Sequence, residues 1–90
     1  AISKTDFSIY PNPINDGRFS LEFGLREKGL ASFEIFNIAG QLMFQKKNQK
    51  LDQGNHKIEF GKSDVNLASG VYLLKVVTNE FTETRKLFVE

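Results

Sequence analysis

Arg18-Phe19-Ser20-Leu21-Glu22-Phe23-Gly24-Leu25 decides the fold class. Phe19, Leu21, Phe23 and Leu25 fall on one side of an extended chain, and Arg18, Ser20 and Glu22 on the other. A period of two marks a half-buried strand, because successive side chains point to opposite faces of a sheet. Asn15-Asp16-Gly17 just before it is a turn signal, since Asp and Gly tolerate the positive φ of tight turns.

The same alternation repeats on either side. Upstream, Phe7-Ser8-Ile9-Tyr10 reads as a short first strand stopped by Pro11 and Pro13, which lack an amide donor. Downstream, Leu30 to Ile38 alternates through Ala31, Phe33 and Ile35, and Ala39-Gly40 turns the chain into Gln41 to Gln45. Gly54-Asn55 turns it again into His56 to Phe60. Gly70 introduces the strongest strand, Val71 to Thr78, and Asn79-Glu80 returns it into Phe81 to Val89. About seven strands with turns at this spacing predict an antiparallel all-β sandwich. Lys62 to Ala68 has room for one helical turn and no more. Residues 1–6 are polar and unpatterned, and read as a linker remnant ahead of a domain over 7–90.

Two segments break clean alternation: Val71 to Val77 is apolar on both faces except for Lys75, and Phe33 to Ile38 is also mixed. A two-layer sandwich covers one face of each strand. The other face is then either shielded by long neighbouring side chains and loops or left as a docking surface.

Composition narrows the function. Ninety residues make one domain, which buries roughly two-thirds of its unfolded surface. The core must come from 40% hydrophobic residues, nine of them Phe. The net charge is +1 and the isoelectric point about 8.2, which lacks the strongly basic face of a nucleic-acid binder. Lys46, Lys47 and Lys50 stand among Asn48, Gln49 and Asp52, and read as a solvated loop. There are no cysteines, hence no disulfide frame and no thiolate site. No apolar run approaches the ~20 residues of a membrane helix. Ala1 is not a natural initiator and no secretory leader opens the chain, so it is expected to be part of something longer.

Catalytic chemistry finds little support. His56 is the single histidine and has no carboxylate at motif spacing. Glu22, Glu34 and Glu59 lie on polar strand faces. No Gly-x-Ser-x-Gly elbow or phosphate-binding glycine loop is present. Asn12, Asn15 and Asp16 supply too few oxygens for calcium and read as an ordinary turn. Neither a metal nor another cofactor is expected. A carbohydrate-binding or adhesion module of the same fold class is the rival. It would stack sugar on Tyr10 or Tyr72, because Phe19, Phe23, Phe33 and Phe60 look committed to the core.

Four elements, in order, resemble the type A C-terminal sorting domain of type IX secretion cargo. Phe7-Ser8-Ile9-Tyr10-Pro11-Asn12-Pro13 resembles its opening Tyr-Pro-Asn-Pro element, followed by the alternating strand Gly17 to Leu21. Asn37-Ile38-Ala39-Gly40-Gln41 resembles its Asn-x-x-Gly-Gln hairpin. Leu67-Ala68-Ser69-Gly70-Val71-Tyr72 resembles its Leu-x-x-Gly-x-Tyr strand, and Lys86-Leu87-Phe88-Val89 its Lys-Leu-x-Val terminus. Phe88 is bulkier than the usual aliphatic residue, and Glu90 stands where a basic residue is common.

The resemblance implies an immunoglobulin-like sandwich that acts as an address label and not as an enzyme. It implies passage through the periplasm of a Gram-negative bacterium and delivery to the cell surface or medium. The implied partners are the type IX translocon with its outer-membrane shuttle protein, an N-terminal cargo domain, and a sortase-like peptidase cutting upstream; no nucleic acid is among them. Translocon recognition is assigned to the terminal hairpin, at Gly70, Tyr72, Lys75, Arg85, Lys86, Leu87 and Val89. Pro11, Asn12, Pro13 and Gly40 are assigned structural roles. Gly40 and Gly70 suit places where φ is positive or a side chain would clash, and Tyr72 can bury its ring while its hydroxyl finds a partner at a strand end.

Overall fold

The computed structural model describes residues 7–61, 65 and 67–90. The segment read as a linker remnant, 1–6, lies outside them, as do Lys62, Ser63, Asp64 and Asn66 of the expected single helical turn.

Seven strands form: β1 (Ser8–Tyr10), β2 (Phe19–Leu25), β3 (Gly29–Asn37), β4 (Leu42–Leu51), β5 (Gly54–Phe60), β6 (Gly70–Thr78) and β7 (Thr82–Val89). They build two antiparallel sheets, ordered β1-β2-β5 and β4-β3-β6-β7. The alternation of β2 does what its pattern demands: Phe19, Leu21, Phe23 and Leu25 are all buried. Against them the second sheet sets Ala31, Phe33 and Ile35 of β3, Tyr72, Leu74 and Val76 of β6, and Leu87 of β7. Ring contacts knit the layers, with Phe33 at 6.2 Å from Phe23 and 6.1 Å edge-on to Phe60. Phe44 of β4 meets Phe60 edge-on at 5.7 Å. No described polar or charged residue is buried, so the interior gains hydrophobic stabilisation without a desolvation cost.

One expectation is corrected. Lys46, Lys47 and Lys50 do not lie in a loop; they belong to β4, which runs on to Leu51. Gly29, Leu30 and Ala31 pair with Leu51, Lys50 and Gln49. β4 is an edge strand whose middle is solvated, so its side chains carry no alternation even though its backbone is paired. Two register shifts against β3 and the left-handed Asn48 (φ 56°) break its regularity further. The turn into β5 accordingly falls before Gly54, at which β5 already begins.

The N-terminal segment changes sheets. β1 pairs with β2, yet Ile14, four residues after β1 ends, makes a parallel bridge to Val89 at the far edge of the other sheet. Both bonds Tyr10-Pro11 and Asn12-Pro13 are cis. The crossing brings the beginning of the domain alongside its end.

Candidate functional site

The hairpin β6–β7 holds every residue assigned to recognition, and the structure divides them. Leu87 is fully buried and Tyr72 only 6% exposed. The Tyr72 ring lies in the core and its hydroxyl donates to the Ala68 carbonyl at 2.8 Å. That contact ties the strand to the segment leading into it. Gly70 opens β6 with φ 151°, where a Cβ would still find room, so its conformation and not crowding selects glycine. Val89 is half-buried, and Lys75, on the outer face of β6, partly so. Arg85 and Lys86 are exposed. Arg85 pairs with Glu83 at 3.2 Å and lies over the Phe7 ring at 5.1 Å. The guanidinium thus roofs an otherwise open side of the core.

Strand parity fixes what β7 shows to solvent. Even-numbered β7 residues direct their amide and carbonyl away from β6, because Lys86 and Phe88 make their bonds on that side. There Asn12 acts as a two-pronged clamp. Its Nδ2 donates to Lys86 O at 3.0 Å and its Oδ1 accepts from Phe88 N at 3.0 Å. Ile14 continues the pattern: its amide donates to Phe88 O at 2.6 Å, and Glu90 N donates to Ile14 O at 2.9 Å. A side chain and one residue of backbone therefore stand in for a strand along the second half of the edge. The Asn12 oxygen considered for calcium is committed to this clamp, and Asp16 Oδ1 accepts from Arg18 N. No metal-holding cluster of His, Asp or Glu occurs among the described residues.

The other end of the hairpin is docked as firmly. Thr78 Oγ1 accepts the amides of Glu80 and Phe81 and closes the turn. The Glu80 carboxylate accepts Arg26 N at 3.0 Å and Glu27 N at 2.8 Å. Those donors, Arg26 first, hold its pKa below the usual carboxylate value. Gly29 lies so close that a Cβ would come within 2.7 Å of Asn79 Cγ. On β3, the Asn37–Gly40–Gln41 element forms a reciprocal loop. Asn37 Oδ1 accepts Gln41 N, Asn37 Nδ2 donates to Gln41 Oε1, and Gly40 turns at φ 87°.

The outer faces of β3 and β6 answer the question raised by their two-sided apolarity. Leu42, Phe36, Leu73, Val71 and Phe88 form a row across the four strands, through the pairs Phe36–Leu42, Phe36–Leu73 and Val71–Phe88. Val71 is 38% and Phe88 43% exposed, so this row remains at the surface.

The residues that would carry other functions are placed differently. Tyr72 offers no platform for a sugar because its ring is interior. Tyr10 bonds through its hydroxyl to Glu22 at 2.7 Å, which raises its pKa, and Lys57 Nζ sits 5.8 Å from its ring centre. His56 Nε2 meets the Asp52 carbonyl at 2.6 Å, a contact that requires the proton on that nitrogen. A cleft of about 300 Å³ opens between Ile14, Asp16, Leu67, Ser69 and Glu90, and contains no histidine.

A family model for the secretion system C-terminal sorting domain matches residues 8–90. No match was found among curated proteins. Among solved structures, the chain resembles part of PorZ, an essential bacterial surface component of the type-IX secretion system of Porphyromonas gingivalis. The TM-score is 0.61 at 21% identity, over 96% of this chain and 12% of that one. At that identity the likeness establishes a shared fold, and this chain corresponds to a small part of the larger protein.

Proposed function

Because the chain belongs to the family of secretion system C-terminal sorting domains, we propose that its β6–β7 hairpin is the surface by which the type IX machinery takes hold of a cargo. It is a sorting domain of type IX secretion, delivering that cargo to the cell surface or medium of a Gram-negative bacterium. The cargo is joined ahead of the sandwich, which spans residues 7–90, and passes through the periplasm. The translocon and its outer-membrane shuttle protein read the folded domain. A sortase-like peptidase then cuts upstream, near residues 1–6. The domain itself performs no catalysis.

One observation carries the reading: the family match, residues 8–90, takes in the whole β6–β7 hairpin, and the outer strand of that hairpin lies at the surface. β7 is an edge strand with Thr84, Arg85, Lys86 and Phe88 exposed, and the Asn12 clamp fixes its final residues in one geometry. Lys75 and Lys86 supply the cations that set register with a partner, and the Val71–Phe88 pair supplies apolar contact. Gly70, Tyr72, Leu87 and Val89 act through the fold, by keeping β6 and β7 in place. Deleting 84–90 would confuse recognition with folding, because it removes the buried Leu87.

The test is a reporter fused ahead of residues 1–90 in a bacterium with type IX secretion. Export of the reporter, and its loss with the pair Lys75→Glu and Lys86→Glu in a domain that still folds, is the expected result. Undiminished export of that folded double variant would remove the hairpin from the recognition surface.

A further inference from the structure

We propose that the uncovered part of the β7 edge, Thr82 to Lys86, receives an extended segment of the export machinery as an added β-strand. The inference rests on the hairpin being the recognised element and states how that contact is made.

The geometry is set by parity. Thr82 and Thr84 share the orientation of Lys86 and Phe88, so their amides and carbonyls point away from β6. Among the described residues, Asn12 and Ile14 cover the edge from Lys86 O to Glu90 N and no further, because Ser8–Tyr10 belong to the other sheet as β1. What remains, from Thr82 N to Lys86 N, is a row of backbone groups roughly 14 Å long, at about 3.4 Å per residue.

The two edges of this sheet are treated differently. β4, the opposite edge, carries two register shifts, the left-handed Asn48 and three lysines. Breaks of this kind, and lysines, are how proteins blunt an edge against further pairing. β7 has no register break and no left-handed residue over 82–86, and its cations, Arg85 and Lys86, fall at the end next to the Asn12 clamp: the register with β6 is unbroken through eight pairs, and Thr82 and Thr84 are good strand formers. The covered part of this edge is already extended by chain addition, since Ile14 bridges Val89 in parallel. The open part continues that interface. The occupant is an extended segment whose backbone pairs with Thr82 and Thr84 and which carries a carboxylate near Lys86. Among the described residues the one ion pair is Arg85–Glu83, which leaves the Lys86 charge for a partner. Main-chain bonds supply the hold and flanking side chains the choice of partner.

The experiment uses the same reporter fused ahead of the full chain. Thr84→Pro removes an outward amide that no bond among the described residues uses, and edge strands tolerate proline. Thr84→Val keeps the amide. Export is expected to fall about tenfold or more with proline, and to stay within about twofold with valine. If Thr84→Pro does not fold, Thr82→Pro makes the same test at the first residue of the strand, where proline is also accommodated. Wild-type export of a folded proline variant overturns the proposal. Loss of export with Lys75→Glu and Lys86→Glu, but not with proline, keeps the hairpin as the recognised surface and removes strand addition alone. Dimerisation of the isolated chain that Thr84→Pro abolishes, with export intact, assigns the edge to a second copy and overturns the proposed occupant.

Discussion

Replacing Asn12 by Ala leaves Lys86 O without its donor and Phe88 N without its acceptor. A hydrogen bond of this kind contributes about 0.5–1.5 kcal/mol net. The site is exposed, so water recovers part of the loss, and the pair should cost about 1–2 kcal/mol. For a domain of this size that lowers the melting temperature by roughly 5–15 °C. Asn12→Asp sharpens the test: it keeps an acceptor for Phe88 but loses the donor and sets a negative oxygen against Lys86 O. It should be at least as destabilised as Asn12→Ala at neutral pH. Urea denaturation reads the change as a lower midpoint at unchanged slope. Hydrogen exchange locates it, since the Phe88 amide should lose more protection than Leu74 in the middle of β6. An Asn12→Ala domain within about 0.3 kcal/mol of the parent, with Phe88 still protected, would refute the clamp.

Three further outcomes follow from the same contacts. Because its two backbone donors depress the Glu80 pKa in the fold, the unfolded chain takes up that proton more readily; the stabilisation is complete above the ordinary carboxylate pKa and is lost as pH falls through the lower folded value. Glu80→Gln should therefore flatten the acid limb of a stability-versus-pH curve, and an unchanged limb would count against it. Tyr72→Phe removes only the bond to Ala68 O and should cost about 0.5–1.5 kcal/mol in urea, whereas Tyr72→Ala should cost about 3–5 kcal/mol by emptying the core. Gly29→Ala should destabilise by about 1–3 kcal/mol through collision with Asn79, and adding Asn79→Ala should recover most of it in a double-mutant cycle.

Legibility in the sequence followed the range of the interaction. The period-two run of β2 announced a buried face because its partners in the core are all apolar, and Phe19, Leu21, Phe23 and Leu25 are where that run put them. Tyr72 was legible too: an aromatic ring with a polar tip, close after a segment with spare carbonyls, found one in Ala68. The lysines of β4 misled because an edge strand can be solvated on both sides, which erases the alternation that identifies strands. The role of Asn12 had no local signature. Its partners are 74 and 76 residues away, and only the sheet crossing after β1 brings them within reach. Pro-Asn-Pro read alone is a turn; its asparagine is the clasp on the final strand. Asn37 and Gln41, four residues apart, show the opposite case, a local pairing hinted at by the motif itself.

The account holds that the address is a folded surface and not a linear string of residues. Leu74→Asp tests this most directly, because Leu74 is fully buried and its substitution leaves every exposed residue of the hairpin unchanged. A reporter fused ahead of this variant should remain inside the cell envelope while the parent fusion is exported. Export at the parent level from a Leu74→Asp chain shown by circular dichroism to be unfolded would contradict the account.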